Sequence, residues 1–341
     1  MVRTSYFAAL LGLSGLLAIA LVLSLGLGAV PLTPGQVLGV LAAHTPWGSP
    51  VDKIDATIVW DLRLARALLA ALIGAGLAAA GAAFQGLFRN PLAEPFVVGA
   101  SGGAALGATL AITVGLRWSG GGFGSVPLAA FVGALLAVSV VYTVAEAGGH
   151  APAVALLLAG AALSTILSAA VSLLMLLNDR ALIEVFTWLM GGLGGRSWPH
   201  LRASMPYLLA GLGALWLLAR PLDALAAGEE TAQSLGLSLP RARGAVVAAA
   251  SLTTAAAVAV GGIIGFVGLI APHAARLLFG ADHHRLIPTS ALLGALLLLL
   301  ADDLARTLMA PVELPVGIVT ALLGGPFFLY LLKTRQRELG G

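Results

Sequence analysis

Residues 6–30 read YFAALLGLSGLLAIALVLSLGLGAV, twenty-five consecutive positions without a charged side chain. As an α-helix rising 1.5 Å per residue, that run is about 37 Å long, enough to cross roughly 30 Å of hydrocarbon. Arg3 precedes it, which invites comparison with a secretory signal, but the apolar region of a signal is only about 7–15 residues long. The run therefore reads as a retained first membrane span. Nine further apolar stretches follow, so the ten expected spans are roughly 6–30, 63–84, 96–115, 127–146, 153–177, 200–219, 243–263, 266–280, 288–308 and 316–332. Each must be helical, because a membrane barrel would instead alternate apolar and polar residues in ten-residue strands. The fold class is all-α integral membrane, and an even number of spans puts both termini on one side.

Composition agrees. Of 341 residues, 59% are hydrophobic and 10% charged, against about 25% charged in a soluble domain. So much apolar surface requires lipid as part of the solvent. The net charge of +3 and the lack of a basic tract exclude a nucleic-acid partner. Cys is absent, which removes disulfides, thiolate metal sites and cysteine nucleophiles together. A phosphate-binding loop needs a lysine after a glycine-rich turn. The only lysines are Lys53 and Lys333, and neither follows one, so ATP use has to come from a partner subunit.

With the termini cytoplasmic, ten basic residues fall inside (Arg3, Arg89, Arg220, Arg241, Arg243, Arg276, Arg285, Lys333, Arg335, Arg337). Eight fall outside (Lys53, Arg63, Arg66, Arg117, Arg180, Arg196, Arg202, Arg306). This is a weak positive-inside bias. Gly99, Gly103 and Gly107 recur every fourth residue, a spacing that lets two helix backbones approach closely in lipid. Asp302 and Arg306 stand four apart, so an ion pair on one helix face is expected ahead of a proton relay. The GASG pattern around Ser101, with His273 far along the chain, carries an alternative reading as an intramembrane serine protease. The His283–His284 pair reads as a solvated loop rather than a metal site. Ser164, Ser168 and Ser172 form an i,i+4 stripe suited either to a water-lined route or to bonds between helices. Residues 220–243, RPLDALAAGEETAQSLGLSLPRAR, read as one or two short surface helices with a glycine break.

Several segments together resemble one family. RLARALLAALIGAGLAAAGAAFQGLFRNPLAEPFVVGASGGAALG (63–107), GEETAQSLGL (228–237), GFVGLIAPHAARLL (265–278) and ELPVGIVTALLGGPFFLYLL (313–332) are similar, in that order, to the FecCD-type permeases for iron-siderophores, haem and cobalamin. The resemblance implies the type II permease fold of ABC importers. It implies a single permease domain over 1–341, ten spans per protomer, a homodimer in the inner membrane and no cofactor on this chain. ATP and Mg are then expected on two cytoplasmic ATPase subunits, and cargo on a periplasmic binding protein. Arg63, Arg66 and Arg306 match outer arginines that grip carboxylates of the binding protein. Glu229, Glu230, Leu235 and Gly236 match the cytoplasmic coupling loop. Asn90 and Leu92 match one inner gate segment, and Ala153 and Val154 the other, where apolar residues replace the polar ones of the cobalamin importer. The fifth span lines the family's route, which favours the serine stripe as part of it.

Overall fold

The computed structural model describes residues 2–46, 49–116, 118, 124–147 and 153–339; all of Arg117 and the side chains of Arg3, Arg335 and Arg337 lie outside what it describes. The described residues contain helices and no strands. In chain order the helices are α1 (Val2–Gly26), α2 (Pro34–Ala43), α3 (Lys53–Ala56), a π-helix (Thr57–Leu64), α4 (Ala65–Leu87), α5 (Ala100–Thr113), α6 (Ser125–Glu146) and α7 (Ala153–Leu177). There follow a 3-10 turn (Asp179–Ala181), α8 (Leu182–Leu189), α9 (Trp198–Leu217), α10 (Ala219–Ala227), α11 (Glu229–Ser234), α12 (Leu239–Gly261), α13 (Val267–Phe279), α14 (His283–Thr307) and α15 (Val316–Leu339). Each of the ten expected spans coincides with one helix. Six helical segments are long and apolar enough to cross a membrane unaided, or seven if the bent pair α9–α10 counts as one, whereas α5, α13 and the apolar part of α15 are shorter.

Two ends of the bundle are defined by contacts between distant segments. At the first, Tyr6 near the start of α1 donates its hydroxyl to the Arg285 carbonyl and packs on Phe279. At the second, Ser24 near the end of α1 donates to Asp303 near the end of α14. These are called the near and distal ends below.

Burial ranks the helices. In the most apolar window of the α3–α4 segment 83% of residues are buried, against 78% in α12 and 67% in α14, and only 17% in α1 and in α7. Helices α4, α12 and α14 are therefore the centre, and α1 and α7 present leucine-rich faces outward, among them Leu11, Ile19, Ile166 and Leu173. The centre is tight because small residues face one another. A Cβ on Gly74 would lie 2.2 Å from the carbonyl oxygen of Gly294, on the opposite helix. Side-chain packing at such crossings substitutes for the hydrophobic driving force that lipid removes. The stripe expected at Gly99, Gly103 and Gly107 is realised at two of its positions. Gly103 meets Gly133, and Gly107 meets Ala129, across the α5–α6 crossing. Gly99 does something else: its φ of +84° makes it the left-handed cap before α5.

Two elements absent from the expected spans complete the distal end. Helix α2 begins with a capping box, the Thr33 side chain accepting from the Gln36 amide while Gln36 reaches back to Thr33, with Pro34 at the first helical position. The π-helix widens the entry to α4. Its Trp60 stacks on His44 at 3.7 Å, and the Trp60 carbonyl accepts from Trp198 Nε1 at 3.0 Å.

Gly74→Ala is expected to destabilise the protein by about 1–3 kcal/mol through overpacking, whereas Gly213→Ala, with open space around its Cβ position, should be neutral or mildly stabilising. Thermal unfolding of the two variants in detergent checks this; equal melting temperatures would show that the α4–α14 contact is loose.

Candidate functional site

The distal end holds a buried ionic cluster. Asp302 is 0% exposed and Asp303 6%, inside a helix whose preceding residues are leucine. Ions so placed are tolerated only when paired and hydrogen-bonded. Arg66 supplies the pairing as a fork, its Nε and Nη2 each 2.9 Å from a different Asp302 oxygen, while Nη1 reaches Glu313 at 2.7 Å. Arg306 lies 3.5 Å from Asp302 at the expected i,i+4 spacing and also pairs with Asp303. Its Nη2 donates to the Ser24 hydroxyl at 2.9 Å and the Ser24 carbonyl at 3.2 Å. Arg63 donates to the carbonyls of Leu25 and Val30. Helix α1 has no basic residue in its own last turn, so arginines from other elements satisfy its terminal carbonyls and meet the negative end of its dipole.

This arrangement corrects the exposure expected of Arg63, Arg66 and Arg306. They do not project outward; they are 8%, 8% and 5% exposed, because each guanidinium is consumed by partners within the chain. The cluster is balanced, three arginines against Asp302, Asp303 and Glu313. Glu313 is its only member in substantial contact with solvent, with 47% of its side chain exposed. The proton-relay reading of Asp302 and Asp303 loses its basis too, since both carboxylates are held by arginine, which stays protonated.

The near end gathers the residues expected to couple and gate. Helices α10 and α11 are separated by Gly228 at φ +122°, and α11 is capped at its C-terminus by Leu235, 71% exposed, followed by Gly236 at φ +80°. Glu229 and Glu230 open α11 and are exposed; Glu229 pairs with buried Arg243 in the first turns of α12. The segment carrying Asn90 and Leu92 is a tight turn, Asn90 Oδ1 accepting from the Leu92 amide at 3.0 Å. A Cβ on Gly228 would lie 3.8 Å from Arg89 Nη1, which sets this turn against the break between α10 and α11. Ala153 is half-buried and Val154 is 64% exposed at the start of α7.

His283 overturns the solvated-loop expectation. It is 4% exposed and starts α14, its backbone N–H donating to Asp223 at 3.0 Å and its Nδ1 lying 2.6 Å from the same oxygen. Burial pushes the Asp223 carboxyl up, but the hydrogen bonds from His283 outweigh that and leave it below the usual carboxylate range. His283 thus ties α10 to α14. Its ring also fills the space beside Gly86 at the end of α4, where a Cβ would meet Nε2 at 2.4 Å. Only His284 stays exposed, edge-on to Trp216. Among the described residues no group of three or more His, Asp or Glu could hold a metal ion.

The same layout of helices recurs in a known structure. A metal-chelate type ABC transporter solved in an inward-facing conformation superposes with a TM-score of 0.83 at 33% identity, covering 96% of this chain and 99% of that one. The model of the FecCD transport family matches residues 16–334. The chain belongs to the FecCD transport family. An ABC transporter permease, YvrB of Bacillus subtilis, is 38% identical over 97% of this chain and 95% of its own length. The cobalamin import permease BtuC of Halobacterium salinarum is 47% identical, and the hemin transport permease HmuU of Yersinia pestis 44%, each over 61% of this chain. The matched region spans 56% of the first and 62% of the second.

Membership of a transport family, not an enzyme family, disposes of the protease reading of Ser101 and His273. Ser101 lies in the first turn of α5, and the His273 ring packs edge-on against Phe327. The serine stripe divides. Ser164 faces the packed contact with α5, within 3.8 Å of where a Gly99 Cβ would stand, whereas Ser168 and Ser172 are exposed on α7.

Arg66→Met leaves Asp302 charged, buried and half-paired, and is expected to cost about 3–5 kcal/mol. The double variant Arg66→Met/Asp302→Leu should recover much of that loss. Unfolding of both in detergent tests it; a double variant no more stable than the single would mean that the pair carries no coupling.

Proposed function

We propose that this chain, over residues 1–341, is the single permease domain of a binding-protein-dependent ABC importer that carries a metal chelate across the inner membrane. The observation that carries the reading is the near-end assembly of α10, the Gly228 break and α11. Two short helices pack one face on the near end of the bundle and keep acidic and apolar side chains exposed on the other, and each is tied to a different span, α10 to α14 through Asp223–His283 and α11 to α12 through Glu229–Arg243. That is the geometry of a lever that takes a push from a separate motor. Glu229, Glu230, Leu235 and Gly236 form its contact face for two cytoplasmic ATPase subunits, which hold the ATP and Mg. Both termini are then cytoplasmic, and the distal end faces the periplasm.

The gate follows from the same contacts. Asn90 and Leu92, in the turn set against Gly228, move with the lever and oppose Ala153 and Val154 at the start of α7. The outward apolar faces of α7 and α15 make the seam of a homodimer, the common symmetry for such assemblies, with Ser168 and Ser172 facing the route. Docking of a periplasmic binding protein falls at the distal end. There the half-exposed Glu313 can be exchanged for a carboxylate of the partner on Arg66, since a guanidinium fork accepts any carboxylate that presents two oxygens.

Proteoliposomes holding the chain, its ATPase and its binding protein should import chelate only with ATP present, and omission of the ATPase should abolish uptake. Import that survives the omission would sink this reading. Replacing Glu229 and Glu230 by lysine is expected to lower import tenfold or more per ATP hydrolysed; unchanged coupling would remove α11 as the contact face.

A further inference from the structure

A cavity of about 690 Å³ opens at the distal end, between the starts of α6 and α9, helix α8 and the end of α12. Pockets for small molecules are commonly about 300–1,000 Å³, so it can take a substantial part of a chelate. Arg196 lines it, in the loop before α9. The Nε of Arg196 is enclosed and has no hydrogen-bond partner, and no carboxylate among the described residues lies within ion-pair distance of its guanidinium. Arg63, Arg66, Arg243 and Arg306, more deeply buried than the half-buried Arg196, all have carboxylate or carbonyl acceptors for their guanidinium groups, although Arg306 Nε makes no hydrogen bond.

The neighbour of Arg196 deepens the deficit. His200 Nε2 lies 3.3 Å from Arg196 Nη1. The other ring nitrogen, Nδ1, accepts from the Ser197 amide at 3.3 Å in the capping box of α9. A neutral imidazole that accepts at Nδ1 carries its hydrogen on Nε2. Arginine is a donor at every nitrogen. In either tautomer the ring has one acceptor nitrogen, so the Ser197 amide and Arg196 Nη1 compete for it and one donor is left short of an acceptor. Burial without an anion also pushes the Arg196 guanidinium below its usual pKa. Of the carboxylates on the wall, Glu313 is already held by Arg66 and Glu184 is exposed to solvent.

Resting on the permease reading above, we infer that this cavity is a cargo-binding subsite for a carboxylate group of an anionic metal chelate, held by Arg196 and His200. The carboxylate accepts from the terminal Nη1 and Nη2 of Arg196, with His200 Nε2 beside the Nη1 contact. The site thereby selects chelates with free carboxylates over neutral ones.

Trp118 and Trp188 line the cavity, so occupancy can be followed by tryptophan fluorescence with the protein in nanodiscs and no binding protein present. The probes are iron(III) citrate, haem, and haem dimethyl ester, whose carboxylates are blocked. The native chain should bind at least one of the two free-carboxylate probes. Arg196→Gln should weaken that binding tenfold or more, Arg196→Lys by less, and the ester should be bound equally by native and variant chains. Both variants are checked for unchanged melting temperature. Equal affinity of native and Arg196→Gln chains for both free-carboxylate probes, or no binding of either, overturns the inference. So does a difference that emerges only when the binding protein is added, which would assign Arg196 to docking. Assembly with the ATPase, measured on the same nanodiscs, judges the permease reading separately.

Discussion

Asp302 sets the terms for the distal half of the molecule. A carboxylate without solvent contact, in a helix of leucines, can remain charged only if cations are brought to it. Arg66 arrives from α4 and Arg306 from the next turn of α14, and Arg66 brings Glu313 with it. Arg306 then reaches the end of α1, and Arg63 closes the same end from the π-helix. One buried charge thereby fixes the relative positions of α1, α4, α14 and the segment before α15. None of the ion pairs in this cluster needs to be worth much individually. Their joint effect is that removing one strands the others.

The near end is held by a lighter device. A single aspartate on α10 takes both the backbone N–H and the ring of His283, and a single glutamate on α11 takes Arg243. Both acids are partly or largely exposed, so water competes with each contact. The distal end is thus pinned by desolvated charge, and the short helices of the near end by ion pairs whose acid stays within reach of water.

The ten spans were legible because hydropathy is a local property: residues 6–30 announce themselves without reference to anything else. The close crossings were legible in part, since Gly103 and Gly107 show their spacing in the sequence, but the matching Gly133 and Ala129 do not declare themselves as partners. Helix α2 carried an unread signal in Thr33, Pro34 and Gln36, which together spell a capping box. The roles of Arg63, Arg66 and His283 were not legible. Arg66 meets Asp302 across 236 positions of sequence and His283 meets Asp223 across 60, so local reading sees only an unpaired charge and assigns it to the surface. Arg196 gave no local signal either; what distinguishes it is a cavity wall with no carboxylate in ion-pair reach and an imidazole that has one acceptor for two donors.

The Gly228 break has a consequence for how the near end is wired to the core. Because α10 is tied to α14 by Asp223–His283 and α11 to α12 by Glu229–Arg243, two short helices in tandem address two different central spans. Helix α12 ends distally at Gly261, beside the cavity that holds Arg196. The glycine is therefore a branch point: a contact made on the near face reaches two of the three most buried helices, one of which runs on to the wall of the distal chamber.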